Sequence, residues 1–141
     1  RAAAARTTLA RLRLPYLSGA AVSAARLGDR PALAHLTGVV EGEAAGSELV
    51  YETAQALINL AEAWSIAGDA AAAADRLARG EAAARAHGFH ELVHQAEQVR
   101  AATGALAARR LEARRGPSLS PASRRVLASL ETLESTTVVG D

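Results

Sequence analysis

The stretch that decides the fold covers residues 56–88 and reads ALINLAEAWSIAGDAAAAADRLARGEAAARAHG. Its first half places apolar residues at steps of three and four, the period of a helix with one packed face. Gly68 can adopt the left-handed conformation that closes a helix, and Asp69 is a favourable N-cap for the next one. The pattern therefore predicts two helices around a tight turn, over about 47–67 and 70–86.

The same pattern occurs earlier in the chain, at a fixed offset. Gly28 and Asp29 precede Gly68 and Asp69 by 40 positions, and Pro31 is tolerated in the first turn of the helix that Asp29 would cap. A looser third copy follows, with its glycine at Gly104. A repeat of this period indicates stacked supersecondary units. We expect residues 1–115 to form helical hairpins over about 14–46, 47–87 and 89–115.

The composition favours an all-α fold, and the repeats predict stacked antiparallel hairpins that form a superhelix or α-solenoid. Hydrophobic residues make up 50% of the chain and aromatic residues 3%, so the core must consist mainly of Ala, Leu and Val, without the aromatic and β-branched richness of a buried sheet. Cys is absent, which excludes disulfides and thiolate metal sites. No apolar run is long enough to span a membrane. We expect a cytoplasmic protein; the absence of Met suggests a piece of a longer chain.

The C-terminal part begins with a cluster of helix-breaking residues. The sequence GPSLS at 116–120 reads as a linker. Ser120 is positioned to cap a short helix with Pro121 in its first turn, reaching about Ser135. Residues 121–141 are therefore predicted to be a short helix and a tail, for which the sequence indicates no packing partner.

One short motif suggests a different function. His90-Glu91-Leu92-Val93-His94 has the pattern of zinc metallopeptidases, in which two histidines one helical turn apart bind zinc and the glutamate activates a bound water. His90 and His94 would be the zinc ligands and Glu91 the general base. A third ligand would have to come from elsewhere. The available side chains are His87, Glu112 and Glu131.

The surroundings of this motif favour a structural helix. Such peptidases hold their substrate against the edge of a sheet, whereas the residues before His90 predict helical hairpins. The apolar residues of the segment already form a stripe that packs on neighbouring helices. They are Phe89, Leu92, Val93, Ala96 and Val99. A zinc-dependent metallopeptidase is therefore kept as the alternative to a non-enzymatic protein without a cofactor.

The central hairpin resembles the tetratricopeptide repeat, a helical repeat that binds proteins and peptides. In that family the first helix carries a large, a small and an aromatic residue, a turn glycine follows, and the second helix carries a small and a large residue. The matching positions are Leu60, Ala61 and Trp64, then Gly68, then Ala73 and Leu77. The final proline of the family pattern is missing, and the spacing of 40 exceeds the usual 34. The resemblance covers residues 14–115.

Longer spacing is typical of the sensor regions of large ATP-binding LuxR-family bacterial regulators. The segment ARAHGFHELVHQAEQVRAATG resembles their closing repeat at Gly88, Leu92, Ala96-Glu97 and Gly104. The later segment LSPASRRVLASLE resembles the opening of the LuxR-type DNA-binding domain at Leu119, Pro121, Val126 and Leu127. That match stops before a second, groove-reading helix, so we expect no direct nucleic-acid binding from this segment. The near-neutral net charge of +1 indicates that its clustered arginines lie on solvated faces.

The resemblance implies a scaffold or sensor part of a bacterial transcriptional regulator. Stacked hairpins present a groove lined by the first helix of each repeat. Its partner would be a protein, a peptide or a neighbouring domain of the same chain, and a homodimer is possible; no membrane partner is expected. The repeat register predicts that the groove is lined by Gln55, Asn59, Glu62, Ser65, His94, Gln95 and Gln98.

Overall fold

The computed structural model describes residues 2–116 and 120–139, and every regular element in these ranges is an α-helix. The all-α prediction is confirmed for this part of the chain. The helices are α1 (Ala2–Arg26), α2 (Arg30–Ala45), α3 (Val50–Ala67), α4 (Ala70–Ala86), α5 (His90–Arg115) and α6 (Pro121–Val139). None of the helices in the described ranges combines the length and the hydropathy that a membrane crossing requires.

Two of the predicted turns are built from the expected glycine and aspartate. Gly28 and Gly68 have φ values of 73° and 89°, the left-handed region in which glycine is favoured. The Asp29 carboxylate accepts a hydrogen bond from the Ala32 amide at 3.1 Å, and Asp69 caps α4 in the same way at 3.0 Å. These turns connect α1 to α2 and α3 to α4, and the helices of each pair pack against each other.

The segment predicted to form a third hairpin is a single helix instead. Helix α5 runs without a break through Gly104 to Arg115. A glycine inside a helix costs about 1 kcal/mol relative to alanine, and the alanines on both sides of Gly104 favour helix. The residue after Gly104 is Ala105, so the aspartate cap that follows Gly28 and Gly68 has no counterpart here. Glycine alone is therefore insufficient to end the helix.

Helix α3 lies between α1 and α2 on one side and α4 and α5 on the other, and it contributes to two apolar clusters. One face of α3, with Ala56, Leu60 and Ala63, packs against α1 and α2. The face with Ala54, Ile58 and Ala61 packs against α4 and α5. A helix that is apolar on two sides must be enclosed by other elements. Helix α3 is thus the element against which α1, α2, α4 and the N-terminal part of α5 pack.

Gly80 is required by helix packing rather than by a turn. Gly80 in α4 lies against α3, and a Cβ atom at this position would meet Ile58 Cγ1 at 2.9 Å and the Ala54 carbonyl oxygen at 3.0 Å. Real Cβ atoms do not approach other atoms so closely. Gly80 therefore permits the close approach of α4 to α3.

The chain divides into two compact units, residues 1–108 and 109–141. In the second unit, the Ser120 hydroxyl accepts a hydrogen bond from the Ser123 amide at 3.2 Å, which confirms Ser120 as the cap of α6. Helix α6 extends to Val139, beyond the predicted end at Ser135. Residues 117–119 of the predicted linker, and residues 140 and 141 of the tail, lie outside the described part of the chain.

Candidate partner-binding surface

Six of the seven residues predicted to line a groove are at least partly accessible. Those on α3 are the half-buried Gln55, Asn59 and Glu62, which share one face because they are spaced by four and three residues. Those on α5 are the half-buried Gln95 and the exposed His94 and Gln98. The seventh residue departs from the prediction, as described next.

Ser65 is buried, with 5% of its surface exposed. It follows Ile58 and Ala61 by seven and four residues, so it continues the face of α3 that packs toward α4 and α5. The prediction that Ser65 lines an exposed groove is therefore corrected. The repeat register predicts an exposed position for Ser65, whereas its spacing from Ile58 and Ala61 places it in the interior.

A chain of hydrogen bonds connects the side chains of α5, α3 and α1. Gln95 Nε2 donates to Asn59 Oδ1 at 3.0 Å, and Asn59 Nδ2 donates to Ser18 Oγ at 3.0 Å. Ser18 is fully buried and its hydroxyl donates to the Pro15 carbonyl at 3.2 Å. We call Ser18, Asn59 and Gln95 the polar ladder. It joins the first helix of each predicted repeat, because each carboxamide offers both a donor and an acceptor.

Ser18 was not among the residues predicted from the sequence. The repeat offset of 40 aligns it with Ile58, the neighbour of Asn59. Ile58 lies on the face of α3 that packs toward the following helices, so the same register places Ser18 on the face of α1 that packs toward α3. The register alone does not specify Asn59 as the partner of Ser18, because that contact depends on how far α1 is shifted along α3.

Beside the ladder lies an open depression of about 310 Å³ between α3 and α5. Its lining residues are Glu62, Gln95, Gln98, Val99 and Ala102. Glu62 is held by Arg26 of α1, with 3.4 Å between Oε1 and the guanidinium. Gln98 lies 3.1 Å from the His94 ring. The depression thus combines carboxamides and one carboxylate over a small apolar floor, which suits hydrogen bonding to peptide groups.

Comparison of the chain with family models, curated proteins and solved structures gives no match.

The residues of the metallopeptidase motif lie near the start of α5. His90, Glu91 and His94 are exposed. The pKa of Tyr51 is raised, by burial first and by the charge of Glu91 second. Within the described part of the chain, no three His, Asp or Glu side chains are grouped closely enough to hold a metal ion. Among the described residues, the structure thus places the two histidines and the glutamate together and brings no third ligand to them.

The neighbouring aromatic residues explain why the motif lies where it does. The rings of Phe89 and Tyr51 meet edge to face with centroids 5.1 Å apart, and His87 stacks on Phe89 at 5.7 Å. Leu92 is 1% exposed and joins the cluster shared with α3 and α4. Phe89 and Leu92 therefore anchor the first turn of α5, which turns the polar residues between them toward solvent.

A further cluster surrounds the single tryptophan. Trp64 Nε1 donates to Thr37 Oγ1 at 3.0 Å, and the buried Thr37 hydroxyl donates to the Leu33 carbonyl at 2.7 Å. The guanidinium groups of Arg30 and Arg76 lie 5.5 Å and 5.7 Å from the indole centroid, within cation–π range. Trp64 is thus bound on its polar edge and covered by cations, which makes this cluster a structural element between α2, α3 and α4.

Proposed function

We propose that this chain is a non-enzymatic, tetratricopeptide-like scaffold that binds a protein or peptide through the shared polar face of α1, α3 and α5. The observation that carries the proposal is the polar ladder from Ser18 through Asn59 to Gln95. It connects α1 to α3 and α3 to α5 through side-chain hydrogen bonds, and helical repeats whose first helices lie side by side have a continuous binding face.

The chemistry of this face suits an extended peptide. Asn59 and Gln95 bond to each other, so their carboxamides are already oriented. Gln55, Gln98 and Glu62 lie on the same two helices and retain accessible surface. Amide side chains can donate to a carbonyl and accept from an N–H group, the two groups that every peptide unit offers. A fixed row of such groups recognises a peptide at low entropic cost.

We also propose that this chain is part of a larger bacterial regulator. The 40-residue spacing and the segment LSPASRRVLASLE support a place in the sensor region of a LuxR-family bacterial regulator in the cytoplasm. Binding at the face of α1, α3 and α5 would then bias the activity of attached modules. This step rests on the sequence resemblance.

A peptide selection tests the proposed binding face. The full chain is used as bait for a displayed library of random 12-residue peptides, and enriched peptides are measured by fluorescence anisotropy. We expect affinity to fall at least tenfold in Glu62→Arg and in Gln98→Ala, because both side chains line the depression beside the ladder. Asp75→Arg is the control, since it makes the same charge change at an exposed site on α4, a helix that does not contribute to this face. Failure to enrich any peptide, or equal affinity in all three variants, would contradict the proposal.

A further inference from the structure

A pocket of about 190 Å³ lies between α4 and α5. Its lining is largely apolar and includes the buried Ala73, Leu77 and Val99, together with the polar residues Arg100 and Thr103 of α5. Of these residues, Val99 alone also lines the depression of the proposed peptide-binding face. An apolar cavity of roughly 150 Å³ is large enough to hold benzene. The pocket between α4 and α5 therefore has room for a somewhat larger planar ring.

The repeat offset identifies the equivalent space in the preceding unit. Helix α2 begins at Arg30 and α4 begins 40 residues later, at Ala70. Helix α3 begins at Val50 and α5 begins 40 residues later, at His90. The space between α4 and α5 therefore corresponds to the space between α2 and α3.

An indole ring fills that space in the preceding unit. The Trp64 side chain donates its N–H to Thr37 at 3.0 Å and lies beneath the guanidinium of Arg30. At the offset of 40, Thr37 and Arg30 correspond to Leu77 and Ala70, and both of these residues line the pocket. The pocket thus corresponds to the surroundings of the Trp64 ring.

The residue that corresponds to Trp64 has no side chain to place in the pocket. At the offset of 40, Trp64 aligns with Gly104, the neighbour of the lining residue Thr103. A Cβ atom added to Gly104 would meet no atom within 4 Å, so the space beside it is open. The second unit therefore keeps the ring-sized space and lacks the ring that the chain itself supplies in the first.

The hydrogen bonding in the two spaces is also alike. Thr103 Oγ1 donates to the Val99 carbonyl at 2.7 Å, as Thr37 Oγ1 donates to the Leu33 carbonyl at 2.7 Å. Thr37 accepts the Trp64 N–H at the same time. A hydroxyl group has one donor and two acceptor lone pairs, so Thr103 can likewise accept an N–H group.

Both spaces are bordered by an arginine paired with a glutamate. Arg76 binds Glu41 and lies 5.7 Å from the centroid of the Trp64 ring, so its ion pair does not prevent it from covering an aromatic face. Glu81 corresponds to Glu41 at the offset of 40 and binds Arg100, which lines the pocket. Arg100 is therefore placed to make a cation–π contact with a ring held there.

We propose that the pocket between α4 and α5 binds a planar aromatic ring that carries an N–H group and has the size of indole. The ring packs against Leu77 and Val99, its N–H donates to the Thr103 hydroxyl, and Arg100 approaches its face. This chemistry has two sources, a free indolic compound and the tryptophan side chain of a peptide.

Titration calorimetry of the full 141-residue chain with indole and with 1-methylindole tests the proposal. We expect indole to bind at one site per chain and at least tenfold more tightly than 1-methylindole, because methylation removes the N–H that Thr103 accepts. No heat of binding up to the solubility limit of indole, or equal affinity for the two compounds, overturns the proposal.

A third ligand, N-acetyltryptophanamide, distinguishes the two sources of the ring. Binding tighter than that of indole assigns the pocket to the tryptophan side chain of a peptide, and weaker binding assigns it to a free indolic compound. Both results support an aromatic site if substitutions in the pocket weaken the binding, and overturn it if they do not.

Thr103→Val tests the hydrogen bond while keeping the shape of the side chain. It should weaken binding of indole at least fivefold and leave 1-methylindole binding unchanged. Thr8→Val is the matched control, because the Thr8 hydroxyl makes the same type of bond, to the Ala4 carbonyl at 3.0 Å, at an exposed site on α1. Unchanged indole affinity in Thr103→Val overturns the proposal.

Gly104→Trp tests the equivalence with Trp64. An indole attached at this position should fill the pocket from within the chain, raise the melting temperature and weaken binding of free indole at least tenfold. Gly104→Ala is the control, because it adds helix propensity without a ring and should leave indole binding unchanged. Undiminished indole binding by a Gly104→Trp variant that circular dichroism shows to be folded overturns the proposal.

Discussion

Asn59 of α3 donates a hydrogen bond to the hydroxyl of Ser18 of α1 at 3.0 Å. Ser18 is fully buried, and a buried hydroxyl that loses a partner costs about 1–3 kcal/mol. The bond therefore stabilises the packing of α1 on α3. It also fixes the carboxamide of Asn59 in the orientation that accepts from Gln95.

Removing the central member of the ladder should destabilise the protein. We expect Asn59→Ala to lower the free energy of unfolding by about 1–3 kcal/mol, because it removes a partner from Ser18 and another from Gln95. Urea denaturation followed by circular dichroism measures the change. Gln55→Ala is the control, since Gln55 is half-buried on the same face of α3 but is not part of the ladder.

A double-mutant cycle separates the bond from the rest of the contact. If Asn59 and Ser18 interact as described, the effects of Ser18→Ala and Asn59→Ala will not add, and the coupling energy will be about 1 kcal/mol. Additive effects within about 0.3 kcal/mol would show that the bond does not contribute to stability.

Substitution by alanine should destabilise the protein at Gly80 and stabilise it at a solvent-facing glycine. Gly80→Ala places a Cβ atom 2.9 Å from Ile58 Cγ1 and 3.0 Å from the Ala54 carbonyl, and overpacking of this kind costs about 1–3 kcal/mol. Gly38 in α2 is exposed and has open space around an added Cβ, so Gly38→Ala should stabilise by about 1 kcal/mol. Thermal denaturation of both variants measures the sign of each stability change. Stabilisation by Gly80→Ala would refute the close approach of α4 to α3.

The turns were predictable because they depend on two adjacent residues. Gly28-Asp29 and Gly68-Asp69 each contain a residue that tolerates positive φ and a residue that caps the next helix, and both turns form as predicted. Gly104 shows the limit of this argument. Without a capping residue after it, local propensity for helix prevails, and α5 continues to Arg115.

The packing partners were less predictable. Helical phase identified Asn59 and Gln95 as neighbours of a shared face, but the bond from Asn59 to Ser18 depends on how far α1 is shifted along α3. The repeat register predicts an exposed Ser65, whereas it is buried with Ile58 and Ala61 on the packed face of α3. The sequence around Gly80 does not indicate its packing role, because the residues that contact it lie more than 20 positions earlier.

Glu81 should make stability depend on acid pH. Hydrogen bonds from Arg100 first and Arg85 second lower the pKa of Glu81 below its usual value. Because the unfolded chain binds this proton at a higher pH than the folded chain, the stabilisation is present above the ordinary glutamate pKa of about 4.3 and is lost as pH falls through the lower folded value. We expect Glu81→Gln to be less stable than wild type at pH 7 and to approach it by pH 3.

Urea unfolding from pH 7 to pH 3 measures this convergence. Glu97→Gln is the control, because Glu97 lies 3.7 Å from Arg85 with 55% of its side chain exposed, where ion pairs contribute little. A difference between wild type and Glu81→Gln that stays constant across this range would refute the assignment.

The two histidines of the metallopeptidase motif should not support a tightly held zinc. His90 and His94 are exposed and no third ligand is grouped with them in the described residues. We expect the melting midpoint to be the same with equimolar zinc and with a chelator, and His94→Ala to change the free energy of unfolding by less than about 0.5 kcal/mol. One zinc per chain that survives gel filtration and is lost in His94→Ala would support the peptidase alternative.

Arg76 should contribute more to stability than Arg30, although both lie over Trp64. The Arg76 side chain is 15% exposed and its Nε is 3.0 Å from Glu41, so Arg76→Ala both uncovers the indole and removes a partner from a half-buried carboxylate. We expect a loss of about 2 kcal/mol and a red shift in the emission of the single tryptophan. The Arg30 side chain is 61% exposed, so Arg30→Ala should cost less than about 1 kcal/mol. Equal losses in the two variants would show that burial of Arg76 does not decide the effect.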